Sequence, residues 1–440
     1  MLAELRQVLL DYKKIRSKDA KGDLAMAWHC LEHNVTYRLR QDVDQQPSIG
    51  FRVLVRTFRS MRTGGEHVHS INADGGIAIL DSDFSYEKLE RDYVDRQSGA
   101  RSAHFIAKTF LTRRFKGQLN AQMLWLSFAL IQAFRCLLSS KNRANRALHI
   151  TLVAEQAALI QLVNDLKVLE LYDFAPYLID SNWSYLLLKS LNVHYHKLPS
   201  PGPLKTHNQM MFCDHLILSS GYHEEELPHL PHVHYRTSTK WLPEWSFTYI
   251  DRYIPLAPVA PKFTIGFYSH GSWLRKEEGH RDDGLNIAEA EEKLLRDLAA
   301  ILDVDHRLRL VIFPHPREKR DENLQKMRDH YSAFFDGKAF SFAELKTPST
   351  QCFDAADIGV AAFSTILYER LFCGYKTLIG NYGMADFPLS GSALEHICFN
   401  NRHQLQQQIE QLTSIDATDF FAIPGLSRYR HSDYPYFHAS

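Results

Sequence analysis

The chain carries no net charge: 51 basic residues balance 51 acidic ones, with its 23 histidines counted as neutral. A protein whose main partner is nucleic acid needs a cationic excess, so that class is disfavoured. Closely spaced cysteine pairs are also missing. Cys30, Cys136, Cys213, Cys352, Cys373 and Cys398 stand far apart, which argues against a disulfide framework or a cysteine zinc site and fits a reducing, cytoplasmic location. The histidines are scattered, with no HExxH or comparable metal spacing, so no metal and no cofactor are expected. There is no GxxxxGK(S/T) loop and no GxGxxG, which disfavours ATPases and dinucleotide enzymes. The opening stretch MLAELRQVLLDYKKIRSKDAKGD has no uninterrupted apolar run, so no secretory signal is expected. No internal repeat or low-complexity tract stands out.

What is present is ordinary for a globular chain: 45% apolar and 23% charged residues. At 440 residues the sequence is too long for one typical core, so two domains are expected. One segment calls for a membrane check, QLNAQMLWLSFALIQAFRCLLSS at 118–140, preceded by the basic run TRRFKG. It is long enough to span, yet it contains Asn120, Gln122, Gln132 and Arg135. An arginine near mid-membrane costs about 2.5–3.5 kcal/mol, which argues against a span. A helix that is buried or faces a partner, and one lying peripherally on a membrane surface, both remain open.

Residues 1–147 are the least regular part, with helical patterns near 1–16 and 104–140 and strand-like runs FRVLVRTF (51–58) and GIAIL (76–80). From residue 148 strands and helices alternate. LHITLVAE reads as a strand, QAALIQLVNDLKVL as a helix, DFAPYLID as a strand and NWSYLLLKSL as a helix, followed by strands VHYHKL and CDHLILSS. The proline- and aromatic-rich stretch at 227–262 breaks this rhythm and reads as a connection. Alternation then resumes through KFTIGFYS, RLRLVIFP, DIGVAA and KTLIGNY, with helices between them. Such alternation predicts parallel sheets with crossover helices. The expected organisation is a partly helical N-terminal region over 1–147, a first Rossmann-like domain over 148–255 and a second over 256–440, facing each other across a cleft.

Open parallel sheets bind ligands beyond the carboxyl ends of their strands, and three strand ends in the second half carry suggestive residues. After TIGFYS, the loop contains Asp282, Asp283 and Gly284 just before a helix. These acids are either plain helix-capping groups or include a carboxylate that takes a proton from an acceptor hydroxyl. After RLRLVIF, His315 sits between Pro314 and Pro316, with Arg317 beyond. Prolines fix φ and remove backbone donors, so they hold the imidazole at the sheet mouth, where it could bind or protonate a phosphate. After DIGVAAF, Ser364 and Thr365 open a helix, as N-caps or as a phosphate site, and Glu369 follows on the same face. Glu369 either accepts hydrogen bonds from a ribose or base, or solvates the helix. Together these signals describe a phosphate-bearing nucleotide in the C-terminal half.

IFPHPRE resembles the HP motif of bacterial sialyltransferases built from two Rossmann-like domains, the GT-B arrangement, and most closely the lipooligosaccharide sialyltransferase family. RDDG is similar to their acidic D/E-D-G motif and FST to their Ser/Ser-Thr motif, in the same order. The resemblance covers roughly residues 262–382. It implies an inverting, metal-independent enzyme that moves sialic acid or a related acidic sugar from a CMP-sugar to a cell-surface glycan or glycolipid, with possible attachment at the inner membrane face. By the same resemblance Asp283 would be the general base, His315 a general acid or donor-phosphate contact, and Ser364 and Thr365 the holders of that phosphate. Asp282 is the substitute base, and Arg317 a secondary source of charge.

The same residues also resemble polyol-phosphate transferases that use CDP-glycerol. Asp81 and Asp83, after an apolar run, offer another alternative as a metal-binding D-x-D, although a solvated turn explains them as well. A non-catalytic scaffold for polysaccharide assembly is the third rival.

Overall fold

The computed structural model describes residues 2–17, 19–31, 68–70, 76–81, 103–107, 119–138, 143–173, 181–197, 210–218, 221–240, 263–278, 286–362, 364, 366–384 and 391–430. Two compact units carry one sheet each. The first takes in Met1–Ser200, His207–Ser219 and Leu227–Lys240, and the second Pro201–Thr206, Ser220–Glu226 and Trp241–Ser440.

In the first unit, strands β1 (Val68–Ser70), β2 (Ile77–Asp81), β3 (Ala103–Ala107), β4 (Glu170–Asp173), β5 (His194–Lys197), β6 (Met211–Leu218) and β7 (Val233–Lys240) form a sheet ordered β1-β3-β2-β4-β5-β6-β7. Only β1 runs antiparallel to its neighbour. Strands from before residue 148 therefore share a sheet with those after it. Helices α1 (Leu2–Ile15) and α2 (Leu119–Leu138) both pack on α3 (Arg143–Asp165), α3 packs on α4 (Ser181–Ser190), and α4 covers β5 and β6.

Three expectations are corrected here. LHITLVAE is part of α3, not a strand. Its apolar run continues through Leu152, Val153, Ala154, Ala157, Ala158, Leu162 and Val163, all buried, and a short apolar run cannot by itself separate a strand from a helix enclosed on all sides. Residues 103–107, inside the helical pattern, are β3. The expected connection at 227–262 contains β7, an eight-residue edge strand rich in threonine and other strand formers. FRVLVRTF, and DFAPYLID beyond Asp173, lie outside the described residues.

In the second unit, β8 (Thr264–Tyr268), β9 (Arg309–Phe313), β10 (Phe340–Phe342), β11 (Ile358–Ala361), β12 (Thr377–Gly380) and β13 (Cys398–Phe399) form an all-parallel sheet ordered β10-β9-β8-β11-β12-β13. Numbered within the unit, this is 3-2-1-4-5-6, the doubly wound Rossmann order, whose direction of travel reverses between β8 and β11. Both faces are covered, so β8, β11 and β12 are buried along their whole length. The helix α7 (Ile287–Val304, after α5 at Gly221–Glu226 and α6 at Ser272–Glu277) contributes Leu294, Leu295, Leu298, Ile301 and Leu302 to the core.

Arg370 on α9 (Ile366–Phe372, after α8 at Leu324–Phe335) lies inside this core with no solvent exposure. It donates to the Tyr268 hydroxyl at 2.7 Å and to the carbonyls of Phe353 (2.9 Å), Ala356 (3.2 Å) and Lys376 (3.3 Å). The rings of Tyr268, Phe353 and Tyr375 surround the guanidinium at 5.1–5.3 Å. Gly359 in β11 makes this possible, because a Cβ there would come within 2.2 Å of Arg370 Nε.

Candidate functional site

Ligand crevices in such sheets open beyond the carboxyl strand ends, where the strand order reverses. In the second unit that edge is built by Ser269–Gly271 after β8, Pro314–Glu318 after β9, Ser364 and α9 after β11, and Asn381–Met384 after β12.

His315 stands where β9 stops. Pro314 is buried behind it, Pro316 is exposed, and residues 316–319 form a turn in which Glu318 N donates to His315 O at 2.8 Å. The Arg317 N–H donates to His315 Nδ1 at 3.1 Å. An acceptor nitrogen carries no proton, so the neutral ring has its hydrogen on Nε2. Burial pushes the imidazole down to about 3, reinforced by the charges of Arg275, Arg317, Arg320 and Lys319. A neutral N–H donor in a cationic field is a receptor for an anion. Gly271, with φ of 68°, lets the neighbouring loop approach, because a Cβ there would meet His315 Cβ at 3.1 Å and Cγ at 3.2 Å. His270 lies next to it, ring centres 6.3 Å apart, and is likewise pushed down to about 3 by burial.

Two buried carboxylates fix these loops. Glu318 accepts from His315 N at 2.6 Å, from Tyr331 OH at 2.9 Å and from the Trp273 indole. Glu291 on α7 accepts from His270 N at 2.6 Å, from Ser272 N at 3.3 Å and from the Ser272 hydroxyl. Burial, with the Glu318 charge nearby, raises Glu291 to about 7. Sequence reading passed over both. Glu318 had one local signal, the spacing of three after His315, which permits a side chain to close back on a turn's first N–H. Glu291 had none, since the groups it holds are roughly twenty residues away.

Among the other expected residues, Arg317 pairs with Glu278 at 3.0 Å and is partly buried. Ser364 is half-buried at the start of α9, with Leu367 N donating to its carbonyl at 3.2 Å. Asp282, Asp283 and Thr365 lie outside the described residues, as does Asp83. Asp81 ends β2, where the order of the first sheet reverses between β2 and β4. Beyond β12, Asn381–Met384 forms a turn with Tyr382 at φ of 45° and Gly383 at 82°, closed by Met384 N to Asn381 O at 2.9 Å. The Tyr382 hydroxyl holds that uncommon backbone in place by donating to Asp297 at 2.6 Å. Among the described residues, no His, Cys, Asp and Glu side chains group as a metal site would require, and no helix is long and apolar enough to cross a membrane.

Glu369, on α9, is 7% exposed and has no side-chain partner among the described residues. Burial alone raises its carboxyl to about 7. Ionising it in the folded state therefore costs stability as pH rises from 4.5 through 7, whereas the unfolded carboxyl ionises freely. Glu369→Gln is expected to stabilise the unliganded protein by about 1–3 kcal/mol at pH 8.5 and by little at pH 4.5. Thermal unfolding of both proteins across that range checks this; a gain independent of pH would contradict it.

No protein-family model matches the sequence, and no curated protein matches it. Several solved structures are similar. MurG of Acinetobacter baumannii is 11% identical, over 82% of this chain and 95% of that one, with a TM-score of 0.40. Anabaena Alr3699/HepE, solved with UDP and glucose, is 10% identical over 80% and 95%, with a TM-score of 0.43. The H444N variant of the wall teichoic acid polymerase TagF is 10% identical over 91% and 93%, also at 0.43. The assignment of two Rossmann-like α/β units rests on the strand orders and registers of this chain itself.

Proposed function

We propose that this chain is a glycosyltransferase of the GT-B arrangement, inverting and metal-independent, which moves an acidic sugar from a CMP-sugar to a glycan or glycolipid acceptor. The observation that carries the reading is His315: a neutral Nε2–H donor at the carboxyl edge of a doubly wound sheet, in the field of Arg275, Arg317, Lys319 and Arg320. The order of the acidic, HP and Ser-Thr motifs supports the donor class.

In this mechanism His315 and the surrounding cations stabilise charge on the CMP phosphate as it departs. The hydroxyls of Ser364 and Thr365 hold the same phosphate, and Glu369 accepts hydrogen bonds from the ribose. Asp283, or Asp282 in its place, removes the acceptor hydroxyl proton. The acceptor oxygen attacks the anomeric carbon, the bond from that carbon to the phosphate oxygen breaks, and CMP leaves with the electron pair. The first unit, which includes the region before residue 148, serves the acceptor, and the second serves the nucleotide.

The test is thermal unfolding of the full chain with CMP, CDP, UDP, GDP or ATP, first in EDTA and then with Mn²⁺. A ligand at a hundred times its Kd stabilises by about 2.7 kcal/mol. Stabilisation by CMP in EDTA is expected. Stabilisation only by UDP or GDP with Mn²⁺ would transfer the donor site to Asp81 and Asp83, and no response to any nucleotide would favour the scaffold.

A further inference from the structure

We propose that the outer faces of α1 and α2 form a docking surface for an anionic lipid bilayer. Both helices turn one stripe toward α3: Leu5, Val8, Tyr12 and Ile15 of α1, and Ala121, Trp125 and Ala129 of α2 are buried. They touch each other through the rings of Tyr12 and Phe128, 5.6 Å apart. Their opposite stripes therefore both face away from the same neighbour, on two helices in contact, and the proposed surface joins them.

That surface has an unusual composition. Among the described side chains of α2 the exposed ones are Asn120, Met123, Ser127, Leu130 and Ile131, spaced to fall on one helical face. None is charged, and Met123, Leu130 and Ile131 are 55%, 61% and 53% exposed. On α1 the exposed stripe is Ala3, Arg6, Gln7, Leu10, Lys13 and Lys14, three cations and no acid. The α1 acids stand on the flank of this stripe: Asp11 is half-buried, accepts from Gln7 at 3.0 Å and pairs with Lys14 at 3.6 Å, and Glu4 is half-buried. A chain with balanced charge overall thus concentrates apolar and basic groups on one face.

Charge selects the occupant. A second copy of this chain, docked face to face about a twofold axis, would gather Arg6, Lys13 and Lys14 of both copies in one interface whose exposed described positions offer no acid to neutralise them. An anionic bilayer answers both features at once, since its head groups attract the cations and its acyl boundary accepts the leucine, isoleucine and methionine side chains.

The experiment is co-sedimentation of the full chain with vesicles of phosphatidylcholine alone or mixed with phosphatidylglycerol. Sedimentation with the mixed vesicles, weakened by salt, is expected, with little on phosphatidylcholine alone. The exposed-site variants Leu130→Asp/Ile131→Asp and Lys13→Glu/Lys14→Glu, first shown to unfold at the wild-type temperature, should each partition about tenfold less. No sedimentation of the wild type would overturn the proposal, as would variants that bind like the wild type. A concentration-dependent dimer abolished by Leu130→Asp/Ile131→Asp would also overturn it.

Discussion

Arg370→Met is expected to destabilise the second unit by about 3 kcal/mol or more, because it strands the Tyr268 hydroxyl and three buried carbonyls at about 1–3 kcal/mol per unsatisfied group. Removing a buried charge returns part of that cost, since the guanidinium has no carboxylate partner among the described residues to be left behind. Gly359→Ala should act on the same network from the opposite side. Its methyl group would sit 2.2 Å from Arg370 Nε and 2.6 Å from Cδ, so the guanidinium must shift and lose its acceptors. Overpacking of this kind costs about 1–3 kcal/mol. The double variant is therefore expected to be less damaging than the sum of the singles by at least about 1 kcal/mol. Urea unfolding of the four proteins measures this, and additive costs would mean that Gly359 and Arg370 act independently.

His315→Ala is expected to lower kcat/KM by about 10–150-fold. The figure follows from the kind of bond at stake. A neutral Nε2–H donating to a charged phosphate is worth about 1.5–3 kcal/mol, at about 1.4 kcal/mol per factor of ten. A proton-transferring imidazolium would give about 10²–10⁴-fold instead. The donor role is favoured because Nδ1 already accepts the Arg317 N–H, and because burial and four cations hold the ring pKa near 3. It follows that the ratio of wild-type to variant rates should stay flat between pH 5.5 and 8, and that His315→Gln should recover part of the loss. A ratio falling steeply with rising pH would restore the acid role. A folded variant with unchanged turnover would remove His315 from the mechanism.

The second unit was legible because its strands are short apolar runs separated by helices of clear period, the pattern a sheet buried on both faces requires. His315 was legible for a local reason, since two prolines stop a strand wherever they occur. The environment that sets its chemistry was not. Trp273 and Arg275 come from α6, Glu291 from α7 and Tyr331 from the helix after the turn. Such convergence depends on strand order, which periodicity does not encode. In the first unit the all-apolar stretch of α3 misled for the converse reason: a helix covered on every side loses the one-sided pattern that marks most helices.

The 3-2-1-4-5-6 order has a consequence during synthesis. Strand β8 finds β9 soon after it is made, but its other neighbour, β11, follows about ninety residues later, some 5–20 s at ~5–20 residues per second. For that interval one edge of Thr264–Tyr268, a strand destined to be buried throughout, has no partner. Slowing translation between residues 313 and 358 should therefore raise aggregation of the nascent chain, a vulnerability that belongs to the topology and that no substitution at the candidate site would relieve.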